Sequence, residues 1–203
     1  NTIISNAAPL SQNLKERIVE HFGGDLLHET YGSTEASIVS NLRPVDQLNK
    51  KKCVGLPFNS TLIKILDEDG KERAANEVGE LYTNSLYSFN GYWRNPQETE
   101  AAFKDGWVTV GDLAYKDDEG YLYIVDRKKD MIISGGINIY PREIEEVIAG
   151  HPAIVEAAVI GVPNEKWGEQ LKAFVVVEPS KQFSIDETIQ LCSDQLSSYK
   201  VPR

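Results

Sequence analysis

Five short clusters in this chain of 203 residues combine side chains and backbone that can do chemistry. Tyr31-Gly32-Ser33-Thr34-Glu35 places an aromatic face, a hydroxyl and a carboxylate within five positions. Tyr31 offers a surface for stacking, Thr34 a hydroxyl, and Glu35 a hard oxygen ligand of the kind that suits Mg²⁺. Asn6-Ala7-Ala8 carries only small side chains, which let a flat ring approach the backbone. In Gly111-Asp112 the glycine permits close approach and the carboxylate can accept hydrogen bonds from a diol, a bidentate contact to ribose being its natural use. Asp126-Arg127 opens a charge run, and Ser134-Gly135-Gly136 follows it. All but Asn6–Ala8 also have a plainer reading. These are a loop with a solvated glutamate, a capping aspartate at a strand end, a solvated charge run, and a turn glycine pair between a strand and a helix.

The elements that must position these residues can be read from the pattern around them. Thr2–Ser5 is apolar and β-branched, a strand that Asn6–Pro9 breaks. Ser11 can cap a helix with Leu14, Ile18, Val19 and Phe22 on one face, and Gly23-Gly24 stops it. Leu26–Tyr31 is a second strand, followed by a turn at Gly32-Ser33. Such a β-α-β unit predicts two parallel strands with a right-handed crossover. Ligands then bind beyond the carboxyl ends of the strands, where both Asn6–Ala8 and Tyr31–Glu35 lie.

The middle of the chain reads as short strands. Thr61–Leu66 alternates and Asp67–Gly70 turns it; the spacing does not fit a calcium loop. Gly79–Tyr82 starts another strand, Gly91–Pro96 is a turn, and Glu98–Phe103 a short helix. Trp107–Val110 is a strand that Gly111-Asp112 ends, and Tyr121–Val125 follows the turn Asp117–Gly120. The composition changes at Asp126–Asp130, a candidate domain boundary. Beyond it, Pro141 opens a helix with Ile144, Val147 and Ile148 as its apolar stripe and Glu143, Glu145 and Glu146 near its positive end. Ile154–Val162 and Leu171–Glu178 are strands, and Ser184 with Glu187 forms a capping box for a last helix over Ile185–Leu196.

The formal charge is −10. Residues 1–125 hold 12 basic and 19 acidic side chains, and residues 126–203 hold 9 and 12, so both parts are acidic. Phosphate-backbone binding needs a basic excess, so no nucleic-acid partner is expected. No apolar run reaches about 18 residues, so no transmembrane segment is expected. Cys53 and Cys192 are too few and too far apart for a disulfide framework or a zinc site, and a reducing cytoplasm is the expected compartment. His21, His28 and His151 are isolated and read as surface or packing residues. The opening Asn1–Ser5 lacks the basic start of a signal peptide and reads as the middle of a strand, so a fragment is expected.

Several of these stretches together resemble the AMP-forming acyl-CoA synthetases, the adenylate-forming ligase superfamily. Ser5–Leu10 (SNAAPL) and Tyr31–Ala36 (YGSTEA) look like two of its motifs. Gly111–Arg142 is similar to it without a gap, and Gly161–Asn164 with Trp167–Glu169 looks like its next signature. The resemblance implies a fold of α/β and α+β type. Residues 1–125 would be the end of a large parallel-sheet AMP-binding domain, with a β-α-β unit over 1–36 and a small β-barrel-like subdomain over 37–125. Residues 126–203 would be a small mobile α+β domain.

The resemblance also implies roles. Ala7, Ala8, Tyr31, Gly32, Asp112 and Arg127 would contact ATP or AMP, with Tyr31 stacking on adenine and Asp112 holding both ribose hydroxyls. Thr34, Glu35 and Arg127 would be catalytic, and Glu35 would bind Mg²⁺. Asp126 would be the hinge, and Gly135 and Gly136 would line the channel for the pantetheine arm of coenzyme A. The implied activity joins a small-molecule carboxylic acid to coenzyme A through an acyl-adenylate. Gly135–Pro141 is more similar to acyl- and aryl-CoA ligases than to peptide-synthetase adenylation domains. Transfer to a carrier-protein thiol, or nucleotide binding without chemistry, are the alternatives. The family's Pro-Lys-Gly phosphate loop would precede Asn1 and its adenylation lysine would follow Arg203, so the chain alone is expected to be inactive.

Overall fold

A computed structural model describes residues 1–202; Arg203, the last position of the expected 126–203 domain, lies outside the described residues. The chain divides into two compact units, Asn1–Ile124 and Val125–Arg203.

In the first unit, β1 (Ile3–Ser5), α1 (Gln12–Phe22) and β2 (Leu27–Ser33) form the β-α-β unit, with β1 and β2 parallel and Ser5 opposite Glu29. The Ser11 hydroxyl caps α1 by accepting from Leu14 N at 3.4 Å. The apolar stripe of α1 faces inward only in its middle: Ile18 and Val19 are half-buried, while Leu14 and Phe22 are 40% and 56% exposed. Lys15, on the same face, is the buried residue, its ammonium 2.6 Å from the Glu29 carboxylate on β2. A long alkyl stem can lie along apolar surface while its charge finds a partner, so a lysine within the stripe packs where periodicity alone would place a leucine.

β3 (Ser37–Leu42) runs antiparallel to β2, and β4 (Leu56–Pro57) completes a four-stranded sheet in the order β1-β2-β3-β4. The turn expected at Gly32-Ser33 falls at Thr34–Ala36 instead. Gly32 stays in the ladder, beside a register shift between Tyr31 and Gly32. A Cβ there would lie 2.0 Å from Ser37 O, so the two backbones approach more closely than any side chain permits.

The second sheet of this unit contains β5 (Leu62–Leu66), β6 (Gly79–Asn84), β7 (Phe103–Lys104), β8 (Trp107–Val108), β9 (Asp112–Lys116) and β10 (Leu122–Arg127), with α2 (Pro96–Ala102) preceding β7. The order is β10-β9-β6-β8-β7, and β5 pairs with β6. Its end strands, β10 and β7, do not meet, so the barrel-like region is an open sheet. A bridge between Gly55 and Leu122 ties it to the first sheet, around a core that includes Val39, Ile65, Leu81, Val108 and Leu122. Asp112 opens β9 rather than closing the Trp107 strand. Gly111, with φ +76°, is left-handed and stands between the end of β8 at Val108 and the start of β9.

The second unit holds β11 (Ile132–Ser134), β12 (Ile137–Ile139), α3 (Pro141–Ala149), β13 (Ile154–Asn164), β14 (Gly168–Val177) and α4 (Ile185–Gln195). Its sheet runs β12-β11-β14-β13, and Ile132, Ile139, Ile144, Ile148, Leu171 and Cys192 share its core. Gly135-Gly136 joins two strands, β11 and β12, not a strand to a helix. Both have positive φ, +60° and +81°, which a two-residue hairpin turn of the primed type requires. Ser184 caps α4 by accepting from Glu187 N at 3.4 Å. Both cysteines are free and buried, and burial pushes the Cys53 thiol up to about 11. Among the described residues no helix is long and apolar enough to cross a membrane.

Candidate active site

Tyr31 lies near the end of β2 and Asp112 at the start of β9, 81 residues apart in sequence. The fold joins them: the Tyr31 hydroxyl donates to Asp112 Oδ2. Asp112 is only 7% exposed, and a carboxylate so buried needs hydrogen-bond donors to hold its charge. The Tyr31 ring packs against the core cluster of this unit. One phenol thus provides a fixed ring and a donor to the carboxylate beside it.

The parallel register of β1 and β2 releases Asn6–Ala8 at the same end of the pair as Tyr31–Glu35. Ala7 and Ala8 are exposed there, and Ala7 has φ +69°, a conformation that a residue with a Cβ seldom adopts. Outliers of this kind concentrate where a structure holds a ligand. Gly32 has its own intramolecular requirement, the close approach of Ser37.

Thr34 is exposed and Glu35 half-buried on the β2–β3 turn. Ser33 Oγ accepts from Ala36 N at 3.1 Å within that turn. The segment before α2 grips Glu35 twice. Phe89 N donates to Glu35 O at 2.8 Å, and the Tyr92 hydroxyl donates to Glu35 Oε1 at 2.5 Å. The bond to Glu35 pushes the Tyr92 phenol up to about 12, so it stays a donor at neutral pH. The Tyr92 ring meets Phe89 edge-on at 4.9 Å, and Phe89 stacks on Phe103 at 5.3 Å. In the sequence Tyr92 reads only as a turn residue, because nothing in its spacing connects it to a glutamate 57 positions earlier.

Among the described residues no group of three or more His, Cys, Asp or Glu side chains could hold a metal ion. Mg²⁺ does not need such a cage: it is commonly held by one or two carboxylates together with water and substrate phosphates. Glu35, with the exposed Thr34 hydroxyl next to it, fits a Mg²⁺ ion that arrives on a nucleotide.

The remaining predicted residues lie past Ile124, where the second unit begins within β10. Asp126 Oδ1 accepts from Arg127 N at 2.7 Å, and Oδ2 accepts from Arg142 N at 3.0 Å. Arg142 is in the first turn of α3, whose own N-cap residue, Tyr140, makes no side-chain cap bond. Asp126 therefore caps α3 from 16 residues upstream. Arg127 is exposed at the end of β10. Gly135 N donates to Trp167 O at 2.8 Å, and a Cβ on Gly135 would lie 3.0 Å from the Trp167 ring. Ser134, Gly135, Ile137, Trp167, Gln170 and Tyr199 are among the residues lining a cavity of about 250 Å³. The β11 edge is held by Glu169, whose carboxylate accepts from Ile133 N at 2.7 Å and whose carbonyl accepts from Ser134 Oγ at 2.7 Å. Tyr31, Thr34, Glu35 and Asp112 thus belong to one unit, and Asp126, Arg127, Gly135 and Gly136 to the other.

A family profile described as AMP-binding enzyme matches residues 1–93, and one described as AMP-binding enzyme C-terminal domain matches residues 143–203. The chain is 42% identical over 201 residues to a long-chain-fatty-acid–CoA ligase of Bacillus subtilis, covering 98% of this chain and 36% of that protein. It is 39% identical over 202 residues to a 2-succinylbenzoate–CoA ligase of Bacillus cytotoxicus, covering 99% of this chain and 41% of that one. The chain thus spans little more than a third to two fifths of the length of these curated relatives. The solved structure of o-succinylbenzoate CoA synthetase from Bacillus subtilis with its acyl-adenylate intermediate superposes with a TM-score of 0.91 at 37% identity. That superposition covers 99% of this chain and 41% of the synthetase. The same synthetase is also known with ATP and a magnesium ion, where the TM-score is 0.90 at 35% identity, covering 100% of this chain and 41% of the synthetase.

Proposed function

This chain belongs to the AMP-binding enzyme family, and from that premise we propose that it serves an ATP-dependent acid–thiol ligase, forming an acyl-CoA through an acyl-adenylate. In the first step a carboxylate oxygen attacks the α-phosphorus of ATP; the bond to the β-phosphate breaks and pyrophosphate leaves. In the second, the coenzyme A thiol loses its proton and its sulfur attacks the acyl carbonyl; AMP departs with the electron pair of the broken C–O bond. Catalysis of this kind is chiefly positioning and charge neutralisation.

The observation that carries the reading is the Tyr31–Asp112 pair, at the end of the parallel β1–β2 pair that also releases the exposed Ala7–Ala8 segment. Tyr31 presents its ring to adenine and Asp112 accepts from the ribose hydroxyls. Thr34 donates to phosphate, and Glu35 holds Mg²⁺, which when bound neutralises the phosphate charge. Arg127 contacts ribose or phosphate, Asp126 serves as the hinge, and Gly135 and Gly136 line the path of the thiol arm. The cytoplasm is the compartment we assign, in keeping with two free, buried cysteines.

The test is carboxylate-dependent exchange of pyrophosphate into ATP by the intact protein, across short, long and aromatic acids. Exchange with at least one acid is expected; none across the panel would overturn the reading. Asp112→Ala should weaken AMP binding by about 1–3 kcal/mol, since it removes hydrogen-bond acceptors from a desolvated site. Calorimetry giving equal AMP affinity in the variant would remove the ribose role.

A further inference from the structure

We propose that Tyr92 is a positioning residue, which aims the Glu35 carboxylate at the magnesium ion carried by the nucleotide; the inference rests on the metal-binding role given to Glu35 above. A glutamate at a turn has several rotamers, and fixing one of them costs conformational entropy when the metal binds. The Tyr92 hydroxyl, 2.5 Å from Glu35 Oε1, restricts that freedom before any ligand arrives. Metal-ligating carboxylates are commonly hydrogen-bonded in this way by an outer partner.

Tyr92 is itself held on several sides. Its backbone N donates to Thr99 Oγ1 at 2.9 Å, and Thr99 lies on α2, where Asn95 caps the first turn by accepting from Glu98 N at 3.2 Å. Gly91, next to it, has φ +137°, and a Cβ there would lie 2.7 Å from the Thr99 methyl group. The loop can therefore follow this path only with glycine at 91. Phe89 supports the Tyr92 ring and, through its backbone N, fixes the main chain of Glu35. Backbone and carboxylate of one residue are thus set by the same four-residue segment, Phe89–Tyr92. A segment that served only to close the β2–β3 turn would need the backbone contact alone.

The experiment compares Tyr92→Phe with Glu35→Ala in the intact protein. Mn²⁺ replaces Mg²⁺ and is titrated against protein and ATP without a carboxylate, the free ion being read by electron paramagnetic resonance. Tyr92→Phe keeps the ring and its packing and should weaken Mn²⁺ binding by about 10- to 100-fold, the effect usual for an outer partner of a metal ligand. The Mg²⁺ needed for half-maximal pyrophosphate exchange should rise in parallel, while the affinity for AMP without metal stays unchanged. Unchanged Mn²⁺ affinity in Tyr92→Phe, with a loss in Glu35→Ala, would overturn the inference and leave the metal role of Glu35 standing. Unchanged Mn²⁺ affinity in both variants would overturn the metal role and the inference with it. A loss of metal-free AMP affinity in Tyr92→Phe would also overturn it, by showing a general distortion of the site.

Discussion

Tyr31 combines two functions that a single substitution can separate. Its ring is the face we propose for adenine, and its hydroxyl donates to Asp112. Tyr31→Phe keeps the first and removes the second. Asp112 is 7% exposed, and losing one donor to a buried acceptor is worth about 1–3 kcal/mol. Tyr31→Phe should therefore weaken AMP binding about tenfold, and Tyr31→Ala should weaken it further. Residues that touch are not additive, so a double-mutant cycle of Tyr31→Phe with Asp112→Ala should show a coupling of about 0.5–3 kcal/mol. Strict additivity in calorimetric titrations with AMP would mean that the phenol does not act through Asp112. Both residue types were legible in sequence from their neighbours; their contact was not, because it spans 81 positions and two sheets. Glu35 and Tyr92 repeat the pattern: the glutamate stands out in its motif, and its hydrogen-bond partner lies in a turn with no motif-level link to it.

The elements with local signals were read well. Ser11 and Ser184 cap α1 and α4, Pro141 opens α3, and β1 and β2 are parallel. Each rests on a cap, a breaker or a period contained within a few residues. The misplaced features depend on distant neighbours or on a glycine's conformation. The β2–β3 turn moved because Gly32 packs against Ser37, and Asp112 moved to the head of β9 because Gly111 is left-handed. The α1 stripe stayed half exposed because Lys15 found Glu29. Asp126 makes a contact of the same long-range kind, which its charge run does not announce: its carboxylate caps α3 by accepting from Arg142 N. A lost cap of this kind costs about 1 kcal/mol, with the helix dipole adding to the effect. Asp126→Ala should lower the urea midpoint of the second unit by the equivalent of about 1 kcal/mol, and Asp126→Asn, which keeps an acceptor oxygen, by less. Equal midpoints for the alanine variant and the unaltered chain would show that the cap contributes nothing. A stability change in both variants of the same size would assign the effect to the charge alone.

At the scale of the molecule, the proposed site residues divide between two compact units. That division allows the two half-reactions to be disturbed separately. Gly135 offers the sharpest means, because its φ of +60° and the Trp167 ring 3.0 Å from its missing Cβ leave little room beside a cavity of about 250 Å³. An indole at position 135 would project from a tight turn into that limited space. Gly135→Trp in the intact protein should slow thioester formation on the order of a hundredfold, the penalty usual when a reacting group is displaced by about an ångström. Adenylation, proposed above to rest on Tyr31, Thr34, Glu35 and Asp112 of the first unit and on Arg127, none of which touches the β11–β12 turn in sequence, should proceed as before. Asn tolerates the left-handed conformation better than other residues with a Cβ, so Gly135→Asn separates backbone strain from bulk. Single-turnover assays should show a small effect for asparagine and a large one for tryptophan, confined to the second half-reaction. If tryptophan slows both half-reactions equally, the turn does not line the thiol's path. If asparagine is as damaging as tryptophan, the backbone conformation of the β11–β12 turn, and not the space beside it, is what the reaction requires.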